Sequence, residues 1–450
     1  MDFTGSLDDA LLDGTIDAAV HSCKDIPPQN RWHAVLTIAA CLSYKSPFAS
    51  GGKSGGDSGT AARKALAAES SQHDRPTRSA LPLILRVDQT VGEALASLAF
   101  MRVQSAPVVQ MHSDGAHYDA QCFLSVGDIV LGFLERVSAA AAAKPELPVL
   151  HRMAELTTLG QRYAETRLGD VRSRWDGTGV WAAATEDMNL ADAMRQCLRI
   201  GADAMEGARG KGGAFAGSPL LRQCPHRFAV IDAGGMVTDI VAQSDVTMYL
   251  RRNRELLDPS VLDAPVKSLG LGAQGGRRVV SLSASVPVVD CFYEMERSNV
   301  QAVAIVDDGT DVLVGNLSES DIASLRPDAF GAFALPVGEF LVHAHGITPI
   351  VPPAEDRAYS PQSTAYGAAL AREGARLAVS CEDTATVGEV LELMHVRAVH
   401  RVWVVDDARR PVGVISLADV LAAVSADERT SSTDSTPKAR VTGESESAAA

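Results

Sequence analysis

One supersecondary phrase returns four times along this 450-residue chain, so the core must be built from packed copies of a single small unit. The last copy is the clearest. Val387, Val390, Leu391 and Met394 fall at i, i+3, i+4 and i+7, the spacing of an amphipathic helix. The β-rich run 402–405 follows, then a turn at 406–410, a second strand at 412–415, and a helix opened by Ser416 with Val420, Leu421 and Val424 on one face. The second copy places Leu190, Ala193, Met194 and Cys197 on its helix, strands at 228–231 and 237–241, and a closing helix at 245–250. The third runs from Val286, Val289 and Tyr293 through strands 303–306 and 312–316 to a helix at Asp321. The first uses Val91, Ala94, Leu95 and Leu98, strands 107–110 and 122–125 separated by a long loop, and a helix with Ile129, Phe133, Leu134 and Val137.

Each copy has a short lead-in, at 14–20, 168–171, 266–271 and 337–341. The repeats then occupy residues 10–138, 151–252, 258–326 and 330–424. Insertions fall at about 45–80, 203–223 and 343–373, and a polar tail at 425–450. These segments are rich in Gly, Ser, Pro or Ala and hold too few apolar residues to offset the entropy of ordering, so disorder is expected there.

The balance of 41 Lys+Arg against 56 Asp+Glu gives a formal net charge of −15, which excludes a general attraction to nucleic acid or an anionic membrane. Any phosphate binding has to be local. Seven well-separated cysteines without a C-x-x-C pair argue for reduced core thiols and against a zinc site. No run of 18 apolar residues and no leader pattern is present, so the expected location is cytoplasmic, with a nuclear one also open.

Every second strand runs into a turn that ends in aspartate: Ser125 to Asp128, Ala242 to Asp245, Ser318 to Asp321 and Ser416 to Asp419. Three of these fit S-x-x-D. A single S-x-x-D is a helix cap, in which hydroxyl and carboxylate satisfy first-turn N–H groups. Recurrence admits a second role: the carboxylate can accept ribose hydroxyls, while Ser125, Ser318 or Ser416 and the helix start hold phosphate. His226-Arg227 and His400-Arg401 both lie nineteen residues before the aspartates Asp245 and Asp419. A cationic pair entering a buried strand suits a phosphate, through the planar donor fork of Arg, although a capping pair at a strand end remains the plain alternative. Gln104-Ser105 and Gln301-Ala302 stand at the same places in the other copies, so those grooves are expected to lack the cations.

Other motifs fail on context. Gly270-x-Gly272-x-x-Gly275 is followed by a β-like run instead of a helix, and the P-loop-like Gly52-Lys53-Ser54 lacks its first glycine. His343 and His345 have no further ligand at useful spacing and read as a solvated pair, with no metal expected.

The four repeats resemble CBS domains, and the set is similar to the gamma regulatory subunits of AMP-activated protein kinase and their plant counterparts. The residues that carry the likeness are those of 399–424, 226–250 and 314–341. The resemblance implies an α+β fold of four β-α-β-β-α repeats in two tandem pairs, with AMP, ADP or ATP as a regulatory ligand and no catalytic cofactor. It implies ribose contacts from Asp128, Asp245, Asp321 and Asp419, hydroxyl contacts from Ser125, Ser318 and Ser416, and phosphate contacts from His226, Arg227, His400 and Arg401. Ala242 departs from the motif and removes one hydroxyl. The implied partners are a kinase catalytic subunit and a beta-type scaffold, with no catalytic activity in the chain itself. The alternative is a free-standing adenosyl-ligand sensor acting on another enzyme or a transporter.

Overall fold

The computed structural model describes residues 38–43, 82–138, 148–171, 181–200, 226–272, 279–323, 325–346 and 378–425. The expected lead-in 14–20, most of the insertions and the tail lie outside these residues. Four three-stranded sheets are present among them, each with a short strand pairing parallel to the first arm of a hairpin.

The first repeat comprises β1 (Leu85–Arg86), α2 (Val91–Met101), β2 (Ser105–Met111), β3 (Tyr118–Ser125) and α3 (Val126–Ser138), and it follows a short helix, α1 (Ile38–Ser43). Its hairpin is tighter than expected, because both arms continue past the predicted ends into the intended long loop. Helices α4 (Val149–Ala164) and α5 (Leu168–Val171) lead to the second repeat, made of β4 (Ala183–Ala184), α6 (Leu190–Gln196), β5 (Arg227–Ile231), β6 (Val237–Ala242) and α7 (Gln243–Arg252). After α8 (Pro259–Leu262) the third repeat holds β7 (Ser281–Ser283), α9 (Val288–Arg297), β8 (Ala302–Val306) and β9 (Leu313–Ser318). The fourth begins with α10 (Val337–Ala344) and continues through β10 (Ser380–Cys381), α11 (Val387–Arg397), β11 (Arg401–Val405), β12 (Pro411–Ser416) and α12 (Leu417–Ser425).

Local chemistry sets these boundaries in the same way in different copies. Thr90 and Glu93 form a reciprocal capping box at α2, with contacts of 3.2 and 2.8 Å, and Thr386 and Glu389 repeat it at α11 with the same distances. Arg102, Asn299 and Ala398 each take a left-handed backbone three residues before a strand begins, and Arg199 does so at the end of the second repeat's helical turn. Ala398, at φ 50°, carries the steric cost of its Cβ there. Ala398→Gly is therefore expected to raise the unfolding free energy by about 0.5–1 kcal/mol in chemical denaturation.

Two expectations are corrected. The helix at Asp321 is only a 3₁₀ turn, Glu319–Ile322, because Pro327 lies a few residues on and cannot continue a helix. Helix α9 starts at Val288, after Pro287, and buries Val288, Val289, Cys291, Phe292 and Met295, so its inner face is rotated from the one expected through Val286 and Tyr293.

The lead-ins are exchanged between repeats. The N–H groups of Val337 and Gly338 donate to the carbonyls of Val286 and Ala284, so the fourth lead-in docks on the third repeat. Val266 and Lys267 donate to Ala385 and Asp383, and Leu168 and Gly169 to Gln89 and Val87. Ile38 and Ala39 make the same pair of bonds to Met188 and Glu186 of the second repeat. The place in the fold expected of 14–20 is thus taken by α1.

Sheets of consecutive repeats face each other. In the first pair Val237 N–H donates to the Tyr118 hydroxyl at 2.8 Å and the rings of Phe123 and Trp181 stack 5.5 Å apart. In the second pair Trp403 Nε1 donates to Asn316 Oδ1 at 3.2 Å, and Ala304, Leu313, Ala378 and Trp403 form a buried patch. The two pairs then meet through helices. One core cluster joins the first repeat to the third through Phe133, Tyr163, Phe330 and Phe333. Arg251 on α7 grips Glu392 on α11 through two bonds of 2.7 and 2.8 Å, tying the second repeat to the fourth.

Candidate functional site

All four hairpins share one register. Ser105 faces Ser125, Arg227 faces Ala242, Ala302 faces Ser318, and Arg401 faces Ser416. Each strand entrance therefore sits directly beside the turn that ends in aspartate. In all four turns one carboxylate oxygen caps its own loop: the N–H groups of Ser125, Ala242, Ser318 and Ser416 donate to Oδ2 of Asp128, Asp245, Asp321 and Asp419 at 2.8, 2.8, 2.7 and 2.8 Å. The capping role is real at every copy, and it engages one face of each carboxylate. The Ser416 hydroxyl also donates to Asp419 at 2.6 Å, whereas Ala242 leaves its helix without a side-chain cap.

The basic residues converge. Arg227 reaches across its pair to donate to the Ser105 carbonyl at 3.4 Å, and Arg401 does the same to the Gln301 carbonyl at 3.3 Å. The grooves expected to lack cations are thus served by the neighbouring repeat, because paired sheets bring one copy's arginine to the other copy's strand entrance. Among the described residues neither guanidinium lies within 4 Å of a carboxylate oxygen, and burial lowers the pKa of both. Glu319 and Asp245 oppose this at Arg227, and Asp321 and Glu319 at Arg401.

His226 and His400 join the same cluster. Both residues keep exposed surface, yet enough protein lies around them for desolvation to act on their rings. Desolvation, with the nearby Arg227 and Arg401, holds His226 down to about 3 and His400 down to about 4, so both are neutral near pH 7. They offer hydrogen bonds there, not charge.

Two residues outside the sequence expectation enter the site. Glu319, just after Ser318, is pushed up to about 7 by burial and by Asp128, against the opposing pull of Arg227, Arg401 and a hydrogen bond from Ser125. His345 is not a solvated loop residue: its Nε2 lies 2.8 Å from Asp321 Oδ1, on a carboxylate whose side chain is only 7% exposed. Asp321 thereby has contacts at both oxygens. A signal for Glu319 was present in the sequence, since Val126, Gln243 and Leu417 fill its place elsewhere and it alone is charged.

The remaining motifs have structural explanations. Gly270 ends a 3₁₀ turn in the left-handed conformation, and a Cβ on Gly272 would lie 2.7 Å from Val404, so these glycines serve a turn and a close approach. An open recess lined by Pro265, Lys267, Ser268, Asp383 and Thr384 lies at the crossing of the third lead-in, with Lys267 engaged by Asp383 at 2.8 Å. Among the described residues no helix is long and apolar enough to cross a membrane, and no group of three or more His, Cys, Asp or Glu is placed to hold a metal.

Fold and repeat chemistry together define a protein built from CBS domains: the CBS domain family model matches residues 276–328 and 378–426. Among curated proteins the chain is similar to a "SNF1-related protein kinase regulatory subunit gamma-1-like" of Arabidopsis thaliana, 28% identical over 191 residues, covering 41% of this chain and 38% of that protein. It is also similar to a "5'-AMP-activated protein kinase subunit gamma" of Dictyostelium discoideum, 24% identical, covering 46% of this chain and 32% of the relative. These matches span between about a third and two fifths of the relatives' length. A solved Methanocaldococcus jannaschii protein, whose description relates it to the AMPK gamma subunit, aligns over 76% of this chain and 96% of its own at 12% identity, with a TM-score of 0.45. A second family model, described as the porphobilinogen deaminase dipyromethane cofactor binding domain, matches residues 2–49, the region of the expected first lead-in. Most of that match lies outside the described residues.

Proposed function

We propose that the chain is a non-catalytic regulatory protein that binds adenine nucleotides, AMP, ADP or ATP, between its CBS repeats and modulates a protein kinase of the AMP-activated type. On this reading its partners are a kinase catalytic subunit and a beta-type scaffold. One observation carries the reading: Arg227 and Arg401 from separate pairs meet beside four aspartate turns, without a carboxylate at ion-pair distance among the described residues. A half-buried cation without such a partner is costly unless an anion completes it. Ribose hydroxyls suit the aspartates, and phosphate suits the arginine forks. Exchange of ligands would then shift repeat placement through differential affinity for two arrangements.

Calorimetric titration with AMP, ADP, ATP and S-adenosylmethionine tests the binding. Saturable binding of at least one adenine nucleotide is expected. Asp419→Ala should weaken it by about 1.5–3 kcal/mol, roughly tenfold to a hundredfold. An unchanged affinity in that variant removes Asp419 from the site. Capture of a kinase catalytic subunit by the purified chain separates the kinase partnership from a free-standing adenosyl-ligand sensor.

A further inference from the structure

A Cβ placed on Gly127 would lie 2.0 Å from Glu319 Oε1 and 2.3 Å from Cδ, so the carboxylate of the third repeat lies directly over the Ser125–Asp128 turn of the first. Gly127 makes the room; the other copies carry Ser244, Ser320 and Ala418 at that place. The turn opens α3, a helix of 13 residues, whose first N–H groups and positive dipole end favour an anion. The Ser125 side chain, Arg227 and Arg401 all favour the ionised form of Glu319, against burial and Asp128. The Ser125 hydroxyl oxygen accepts from the Asp128 N–H at 3.1 Å. Gln104 Nε2, donating to the Ser320 hydroxyl at 3.1 Å, pins the third repeat's turn against the first.

These are the contacts a ligand phosphate would make. We propose that Glu319 is a resident anion: it fills the phosphate place of the first repeat's cleft and makes the shared basic cluster select adenosine ligands of low phosphate charge, AMP over ATP. The inference rests on the nucleotide reading. The ionised fraction of Glu319 offsets part of the field of Arg227 and Arg401 and repels each further ligand charge. At an effective dielectric constant of about 20, a charge a few ångströms away changes affinity by about tenfold or more per ligand charge. Adenosine itself has no charge to repel.

The test is calorimetry of adenosine, AMP and ATP with the full chain and with Glu319→Gln, which installs the residue the second repeat already carries as Gln243. AMP affinity should rise about tenfold, ATP by more, and adenosine should stay within about twofold. Equal affinities of all three ligands for both proteins would overturn the role of Glu319 while leaving nucleotide binding intact. A uniform gain that includes adenosine would also overturn it, since that marks a steric plug. If no adenine ligand binds either protein, the nucleotide reading fails and takes this inference with it. Thermal melting reports whether the variant is folded, and Glu319→Ala repeats the comparison should the Gln variant melt early.

Discussion

Phe330→Ala is expected to lower the unfolding free energy by about 3–5 kcal/mol, the range for a buried aromatic. Phe330 is fully buried, with its ring centroid 4.2 Å from Phe133, 5.6 Å from Phe333 and 6.3 Å from Tyr163. The neighbours cannot close over the space, because the backbone of α4 already lies on the ring: a Cβ at Gly160 would stand 2.6 Å from Phe330 Cδ2. The same helix presses on Gly331, where a Cβ would meet the Met153 carbonyl at 2.8 Å. Loss of the ring therefore leaves a cavity at the junction of the two repeat pairs, together with lost aromatic contacts. Chemical denaturation measures the effect. A loss below about 1 kcal/mol would mean that the aromatic cluster does not hold the pairs together.

Arg401→Ala should separate binding from stability. Each charge-assisted bond to a phosphate contributes about 1.5–3 kcal/mol, so the variant is expected to lose tenfold to a hundredfold in nucleotide affinity, and Arg227→Ala the same. Neither should melt earlier than the parent. Each arginine makes one backbone bond, at 3.3 or 3.4 Å, and burial opposes its charge, so its removal takes little from the fold. Paired calorimetry and melting curves check both halves. A variant that melts several degrees early with unchanged affinity would make these arginines structural.

Much of the fold is legible in the letters because the same local devices recur. The Thr386-to-Glu389 capping box, the face of Val387, Val390, Leu391 and Met394, and the strand 402–405 all stand where the spacing put them. The cues that failed depend on neighbours in space. Val286 and Tyr293 have the right period but the wrong phase, since Pro287 sets where α9 starts. The first lead-in is marked by two backbone bonds from Ile38 and Ala39, which no side-chain pattern announces. At the site, the turns and the two His-Arg pairs were readable from register alone. The crossing of Arg227 to Ser105, the placement of Glu319 over Gly127 and the contact of His345 with Asp321 were not, because each joins repeats 24 to 192 positions apart in the chain.

The exchanged lead-ins bear on how this chain can be divided. Each repeat from the second to the fourth anchors its opening turn on the repeat it is paired with, and Ile38–Ser43 does the same for the first. A single repeat cut out at its own boundaries would carry away a segment that belongs to its neighbour and leave behind one that it needs. The smallest piece able to stand alone is accordingly a reciprocal couple, and a strain applied to one member is delivered to the other through covalent chain as well as through packed surfaces.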